Sequence, residues 1–198
     1  MMLRLLFFTL LLLSAATRSG AKPGVILITV DGLGWGDLSA SGNAQVPTPR
    51  IDKLLAGSAV FRDFHVNPLD APSRAALLTG LYPLRAGVWG CHSGRNRLRP
   101  GLLTMSSHLK GAGYSAALFG TWALGDNHPS RALDQGYGLV LTHPGDHPGG
   151  VADFYSNDGD DDLWLLNGEA LARKGTPVTV CFDAAISFLQ KSAAQPFF

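Results

Sequence analysis

The segment that most constrains the fold is the run GVILITV at residues 24–30, which ends in Asp31 and Gly32. Almost every side chain in it is aliphatic or β-branched, so a strand made from this run is apolar on both faces. Strands of that kind belong to parallel sheets that helices cover on both sides. The run therefore predicts a central strand of an α/β fold.

The rest of the chain alternates segments typical of helices and strands. In chain order we predict a helix at residues 48–55, a strand at 59–66, helices at 73–79 and 102–109, a strand at 114–120 and a helix at 183–191. Residues 126–162 are rich in Gly, Pro, Asp and His, which predicts mostly loop. Pro196, Phe197 and Phe198 resemble the first residues of another buried strand. This order predicts an α/β sheet covered on both faces.

Length and charge narrow the class of protein. The chain has 198 residues, of which 46% are hydrophobic and 16% charged, which is typical of one globular domain. The formal net charge is +1, and no long run of Lys and Arg is present. A nucleic-acid-binding protein needs a basic surface, so the composition argues against that partner.

The N-terminus has the plan of a secretory signal peptide. Residues 1–4 supply a basic start, residues 5–13 are apolar, and cleavage is plausible after Ala16 or Ala21. The apolar run is short for a membrane span, although an N-terminal membrane anchor is the alternative. We therefore predict a signal peptide at residues 1–21, no stable membrane span after its removal, and a secreted or periplasmic protein.

Cys91 and Cys181 are the only two cysteines. An exported protein can form a disulfide, and the spacing of the pair matches no metal or redox motif. Two isolated buried thiols are the other interpretation. The sequence leaves both open.

Five segments carry a family resemblance. In chain order they read ILITVDGLGWGDLSASGN, VPTPRIDKLLAGSAVFRDFHV, DAPSRAALLTGLYPLRAGV, LLTMSSHLKGAGYSAALFGTWALG and DQGYG. Together they resemble the N-terminal portion of the sulfatases, an arylsulfatase-like family of the alkaline-phosphatase-like superfamily. The resemblance implies a three-layer α/β/α sandwich with a mostly parallel central sheet, truncated at the C-terminus. Residues 22–198 would then be the N-terminal part of a sulfatase domain.

The resemblance implies hydrolysis of sulfate esters at a divalent metal, usually calcium. The family's nucleophile is a formylglycine made from the Cys or Ser that opens a Cys/Ser-x-Pro-Ser-Arg motif. Here Asp70 opens that motif, and because the maturation chemistry oxidises a carbon that carries a thiol or an alcohol, no formylglycine forms. We interpret Asp70 as a metal ligand or an inert substitute rather than a nucleophile. Arg74 matches the motif's arginine, either as a charge partner of Asp31 or Asp70 or as a solvent-facing residue.

The metal site implied by the family is incomplete in this sequence. Asp31 matches the first of two adjacent metal-binding aspartates, and Gly32, which has no side chain, takes the place of the second. Asp31 could instead cap a turn, because Asp-Gly is a strong turn pair. The expectation of calcium thus rests on Asp31 and Asp70 alone, and the family's remaining ligands, an Asp/Asn pair, match nothing up to Phe198.

A second motif has kept its apolar residues and lost its charged ones. GTWALG at residues 120–125 resembles the family's Gly-Lys-Trp-His-Leu-Gly, in which the lysine and histidine bind sulfate and assist the leaving group. Thr121 and Ala123 replace these two residues. The substitutions remove positive charge that a sulfuryl transition state needs.

Other polar residues are interpreted as structural. Asp37 is predicted to cap a helix or loop. Three histidines in the polar loop, and an acidic cluster after them, are predicted to be solvated because they lack metal-ligand spacing. The histidines are His128, His143 and His147, and the cluster comprises Asp158, Asp160, Asp161 and Asp162.

The sequence therefore predicts a catalytically impaired sulfatase-fold protein. Its expected partner is a sulfated or phosphorylated small molecule or glycan, and no nucleic acid. One alternative is a divergent metal-dependent sulfate or phosphate ester hydrolase in which Asp70 is a metal ligand. The other is a fragment with no function of its own.

Overall fold

The computed structural model describes residues 22–92, 95–145, 147–150 and 153–198. The helices are α1 (Pro49–Ala56), α2 (Asp70–Thr79), α3 (Pro83–Ala86), α4 (Met105–Gly111) and α5 (Pro177–Ser192). The strands are β1 (Ala117–Phe119), β2 (Leu139–Thr142), β3 (Leu163–Leu166) and β4 (Glu169–Ala172). Short 3₁₀ helices lie at Trp35–Asp37, Ser39–Ser41 and Ala132–Gln135. The predicted signal peptide at residues 1–21 lies outside the described residues and stays a prediction.

The four strands form one mixed sheet in the order β1-β2-β3-β4. β1 and β2 are parallel, with Leu118 opposite Val140, whereas β2–β3 and β3–β4 are antiparallel. β3 and β4 are joined by Asn167 and Gly168, whose φ angles of 52° and 94° suit a tight hairpin turn. Because the β2–β3 and β3–β4 pairs are antiparallel, the described part of the sheet is mixed.

The last three residues extend this sheet beyond β1. Ser115 and Phe197 form a parallel bridge, and the backbone N–H of Ser115 donates to the carbonyl of Pro196 at 2.9 Å. On the other side, the N–H of Val25 donates to the carbonyl of Phe197 at 2.8 Å. The tripeptide therefore lies between β1 and the start of the run at 24–30, and its three residues are half-buried.

The run at 24–30 is extended but is not the buried strand that its sequence predicts. Ile26, Ile28 and Val30 are 62%, 61% and 61% exposed. Among the described residues, the backbone bond between this run and segment 196–198 is made by Val25, at the start of the run. The predicted strand at 59–66 is likewise not formed: among the described residues, this segment pairs with no strand.

Two apolar clusters hold the described elements together. The larger joins α2 and α3 to the residues around β1 and β2, and Tyr137 packs between Trp122 and Phe198 in it. The smaller contains Leu141, Trp164 and Val180, so it lies between the sheet and α5. The loop that carries Trp122 is thereby anchored in the larger core.

The helices begin where their capping residues place them. α5 starts six residues before the predicted 183, because the hydroxyl of Thr176 accepts the N–H of Thr179 and Pro177 takes the first helical position. The hydroxyl of Thr104 caps α4 in the same way by accepting the N–H of Ser107. Within the described part of the chain, no helix is both long and apolar enough to cross a membrane.

Candidate functional site

The site that the family motifs predict is assembled around the start of α2. Arg74 lies one turn into this helix, and its guanidinium donates to the carboxylate of Asp31 and to the backbone carbonyl of Thr121. The side chain of Arg74 is 11% exposed and that of Asp31 is 54% exposed. Arg74 is thus the charge partner of Asp31, and the solvent-facing interpretation of Arg74 is wrong. A pair this open to water contributes about 1 kcal/mol at most.

The contact of Arg74 with Thr121 joins the two degenerate motifs. Its Nη1 reaches a backbone oxygen, which any residue at position 121 would provide, so the lost lysine side chain is not replaced by this bond. The Nε of Arg74 is buried without a hydrogen-bond partner among the described residues. The arginine therefore positions the loop at 121 instead of offering its full charge to a ligand.

Asp70 is half-buried at the first position of α2, where its carboxylate accepts a hydrogen bond from the thiol of Cys91, with Sγ 2.8 Å from Oδ1. Burial raises the pKa of Asp70, but the bonds from Cys91 and the N–H of Ala71, together with the charge of Arg74, outweigh it and hold the pKa below its usual range. Asp70 is consequently ionised at neutral pH.

Neither cysteine forms a disulfide. Cys91 contacts Asp70, while Cys181 packs against the smaller apolar cluster, where burial raises the pKa of its thiol to about 11. The two thiols thus lie in different surroundings. The structure therefore shows no disulfide between them, and both cysteines are half-buried rather than fully buried.

The segment 120–125 keeps its shape through its apolar residues. Trp122 and Leu124 are 3% and 0% exposed, and the indole N–H of Trp122 donates to the carbonyl of Ser130 at 2.8 Å. Ala123, between them, is 1% exposed and has a φ of 53°, in the left-handed region. The position where the family has a histidine is therefore a buried, conformationally strained alanine.

The residues present do not fit a calcium site. Among the described residues, no group of three or more Asp, Glu, His or Cys side chains is arranged to hold a metal ion. The Asp31 carboxylate is paired with Arg74, and Gly32 at φ 70° supplies a turn but no ligand. Calcium prefers six to eight oxygen ligands, and the described residues around Asp31 and Asp70 offer too few.

His143 is the polar residue whose environment the sequence does not predict. It is 3% exposed, its ring lies edge-on to Trp164 with centroids 4.0 Å apart, and Nε2 is 3.5 Å from Oδ2 of Asp162. Neither ring nitrogen has a hydrogen-bond partner in the described residues. Burial lowers the pKa of His143, opposed in part by the charges of Asp162 and Asp153. The solvated-loop prediction for His143 is wrong, because β3 brings Trp164 over the loop.

The other candidate residues remain apart from the motif site. His128 and His147 are exposed, as are Asp158, Asp160 and Asp161. Asp162 is buried and accepts the backbone N–H groups of Asp158 and Gly159, so the prediction that it is solvated is also wrong. Asp37 accepts the N–H of Gly34 and caps its 3₁₀ helix as predicted.

Comparison with known proteins decides the family. The family model described as Sulfatase matches residues 23–198. The chain belongs to the sulfatase family. It is 37% identical to N-acetylgalactosamine-6-sulfatase of Sus scrofa over 155 residues, which are 71% of this chain and 30% of that protein. It is 38% identical to rat (Rattus norvegicus) steryl-sulfatase over 161 residues, 71% of this chain and 28% of that protein.

Solved sulfatase-fold structures confirm the fold. Ps i-CgsB superposes with a TM-score of 0.76 at 26% identity, covering 89% of this chain and 44% of that one. BT4656, solved with its substrate D-glucosamine-2-N,6-O-disulfate, gives a TM-score of 0.65 at 26% identity over 80% of this chain and 29% of that one. The α/β fold predicted from the motifs is therefore confirmed. The chain spans about 30% of the length of the sulfatase relatives it matches.

Proposed function

We propose that this sulfatase-family protein binds a sulfated or phosphorylated small molecule or glycan and does not hydrolyse sulfate esters through a formylglycine. The observation that carries the proposal is the environment of Asp70. An ionised carboxylate, hydrogen-bonded by Cys91, occupies the position at which the family's aldehyde nucleophile forms. Formylglycine is made by oxidising a Cβ that carries a thiol or a hydroxyl, and the Cβ of Asp70 carries neither, so the aldehyde hydrate that attacks sulfur cannot be generated.

The loss of positive charge supports the same conclusion. Charge develops on the sulfuryl oxygens as the ester bond breaks, and oriented cationic groups are the usual means of stabilising it. Thr121 and Ala123 provide none, and the remaining cation, Arg74, is paired with Asp31. The motif site can still position polar groups, but it lacks the groups that act in the transition state.

The alternative of a metal-dependent hydrolase is less well supported. In that mechanism Asp70 and Asp31 would bind a cation that activates water. The carboxylate of Asp31 is already paired with Arg74, and that of Asp70 with the thiol of Cys91. Calcium is for these reasons not part of the proposal.

The ligand class and the location of the protein follow from different features. N-Acetylgalactosamine-6-sulfatase and steryl-sulfatase are named for sulfated substrates, and the ligand class is taken from these relatives. The signal peptide at residues 1–21 would deliver the protein to the secreted or periplasmic space, where sulfated glycans are met. We propose both by analogy.

The proposal is tested by measuring binding and turnover in the same sample. Isothermal titration calorimetry would follow N-acetylgalactosamine 6-sulfate and N-acetylgalactosamine 6-phosphate, with unsubstituted N-acetylgalactosamine as control, while ion chromatography follows free sulfate. We expect the charged sugars to bind at least tenfold more tightly than the control, with no sulfate released. Equal affinities for all three sugars, or steady release of sulfate, would overturn the proposal.

A further inference from the structure

A polar cleft lies beside the degenerate GTWALG segment. It has a volume of 330 Å³ and is lined by Asn96, Arg97, Gly125, Asp126 and Asn127. Two separate loops form it, one following Cys91 and one continuing directly from the segment that carries Thr121 and Ala123. None of its lining residues belongs to the Asp31, Arg74 and Asp70 group.

The two loops are fixed at the base of the cleft. The backbone N–H of Leu98 donates to the carbonyl of Leu124 at 3.2 Å, and the hydroxyl of Ser130 donates to the carbonyl of Leu98 at 3.3 Å. Leu98 and Leu124 are 1% and 0% exposed. Because both leucines are buried in the larger core, the polar residues next to them in sequence are held on a rigid base.

Gly125 shapes the floor of the cleft. Its φ of 120° is unfavourable for other residues, and a Cβ there would lie 2.6 Å from the Cβ of Ser130 and 3.1 Å from the Cγ of Arg97. The absence of a side chain at 125 therefore lets the stem of Arg97 lie against the backbone. The guanidinium group extends from a stem held at its base, while the residue as a whole remains exposed.

The lining groups define a ligand chemistry. A guanidinium binds a sulfate, phosphate or carboxylate group in a bidentate manner. The side-chain amides of Asn96 and Asn127 each offer donors and an acceptor, which suits sugar hydroxyls. Arg97 is the one cationic residue among the described residues of the lining, so the cleft favours a ligand with one anionic group over a polyanion. Its volume lies near the lower end of the range for small-molecule sites, about 300–1,000 Å³.

We propose that this cleft binds a monosaccharide that carries a single anionic substituent, with Arg97 contacting the anion and the two asparagines contacting the ring hydroxyls. The inference rests on the proposed binding function and assigns it a location. It places anion recognition at Arg97, next to the positions where the family's lysine and histidine are replaced by Thr121 and Ala123.

Isothermal titration calorimetry with N-acetylgalactosamine 6-sulfate tests the assignment. The variants are Arg97→Gln and, as the matched control, Arg99→Gln, which removes another exposed arginine from the same loop. We expect Arg97→Gln to weaken binding at least tenfold and Arg99→Gln to change it less than twofold. Asn127→Ala should weaken the sulfated and the unsulfated sugar by the same factor. Circular dichroism confirms that each variant is folded.

The outcomes distinguish an error in the cleft assignment from an error in the proposed binding function. If the unaltered protein binds the sulfated sugar and Arg97→Gln binds it equally well, the cleft assignment is wrong while the binding function stands. If equal losses occur in Arg97→Gln and Arg99→Gln, recognition is a diffuse charge effect and the assignment also fails. Absence of binding by the unaltered protein contradicts the proposed function itself.

Discussion

The thiol of Cys91 donates a hydrogen bond to the carboxylate of Asp70, with Sγ 2.8 Å from Oδ1. This contact joins the loop after α3 to the first residue of α2, at the position where active sulfatases form their nucleophile. The hydrogen bond helps to keep Asp70 ionised. The thiol beside the motif belongs to Cys91, whereas the family oxidises the residue at the position of Asp70.

Replacing Cys91 with alanine should raise the pKa of Asp70, because the hydrogen bond favours the charged form of the carboxylate. The carboxyl carbon of Asp70, followed by NMR from pH 2 to 7, measures the change directly. Cys181→Ala is the matched control, since this thiol lies in the smaller cluster. An unchanged titration of Asp70 in Cys91→Ala would show that the contact is not formed in solution.

The same carboxylate makes stability depend on pH in a defined direction. Because its folded pKa lies below the unfolded value of about 3.9, the stabilisation is present above that pH and is lost as pH falls through the folded pKa. The Asp70→Asn variant should consequently lose less stability between pH 5 and pH 3 than the unaltered protein does. Urea unfolding at each pH measures the free energy of unfolding of both. An identical loss in both would contradict the shift.

Ala123→Gly should leave stability unchanged or raise it by about 1 kcal/mol, because glycine adopts the left-handed region at no steric cost. Ala132→Gly is the control: this alanine is also buried, at 3% exposed, but has no positive φ, and its replacement should cost about 1 kcal/mol. Urea denaturation of both variants gives the comparison. Equal destabilisation would mean that Ala123 is not strained.

Much of the fold is readable from local signals, and the errors have local causes. The helix predicted at 48–55 is found at Pro49–Ala56, because Thr48 and Pro49 mark its start. The β3–β4 hairpin is missing from the prediction although Asn167-Gly168 between apolar segments is a strong hairpin signal. The prediction of a buried strand at 24–30 is wrong because the burial of a strand depends on the segments that pack against it. The sequence of the strand does not identify those segments.

Stability should fall as the solution is acidified through the titration of His143. Burial lowers its folded pKa below the unfolded value of about 6.5, so the unfolded chain takes up a proton first as pH falls. One proton corresponds to at most about 1.4 kcal/mol per pH unit. His143→Phe, which keeps an aromatic ring against Trp164, should flatten the dependence of unfolding free energy on pH between 7.5 and 5.5. Equal slopes in the unaltered protein and in His143→Phe would contradict the burial of His143.

The site was only partly predictable, for a physical reason. Asp31, Arg74 and Thr121 lie far apart in sequence and were grouped by resemblance to the family, and the structure brings them into contact. The partners of His143 and Asp70 are set by tertiary packing, so neither the loop composition around His143 nor the motif around Asp70 indicates Trp164 or Cys91. No local pattern carries that information.

Gly136→Ala should be one of the most destabilising single changes. Its φ is 102°, and a Cβ would lie 2.7 Å from the backbone of Ser107 in α4. Conformational strain of about 1–2 kcal/mol is then added to overpacking of about 1–3 kcal/mol. Gly168→Ala, with a φ of 94° and no atom within 4 Å of the added Cβ, should show the strain alone. Chemical denaturation distinguishes the two, and equal losses would mean that the approach of α4 is looser than the structure shows.

We propose above all that Asp70 removes ordinary sulfatase turnover from this sulfatase-family protein. The most direct test is release of sulfate from an aryl sulfate by the protein, co-expressed with a formylglycine-generating enzyme and assayed with and without calcium. N-Acetylgalactosamine-6-sulfatase of Sus scrofa serves as positive control for maturation, assayed on N-acetylgalactosamine 6-sulfate, and Asp70→Ala as the matched variant. The account predicts no release above buffer from either form of this protein. Turnover by the unaltered protein that disappears in Asp70→Ala would contradict it and give Asp70 a catalytic role.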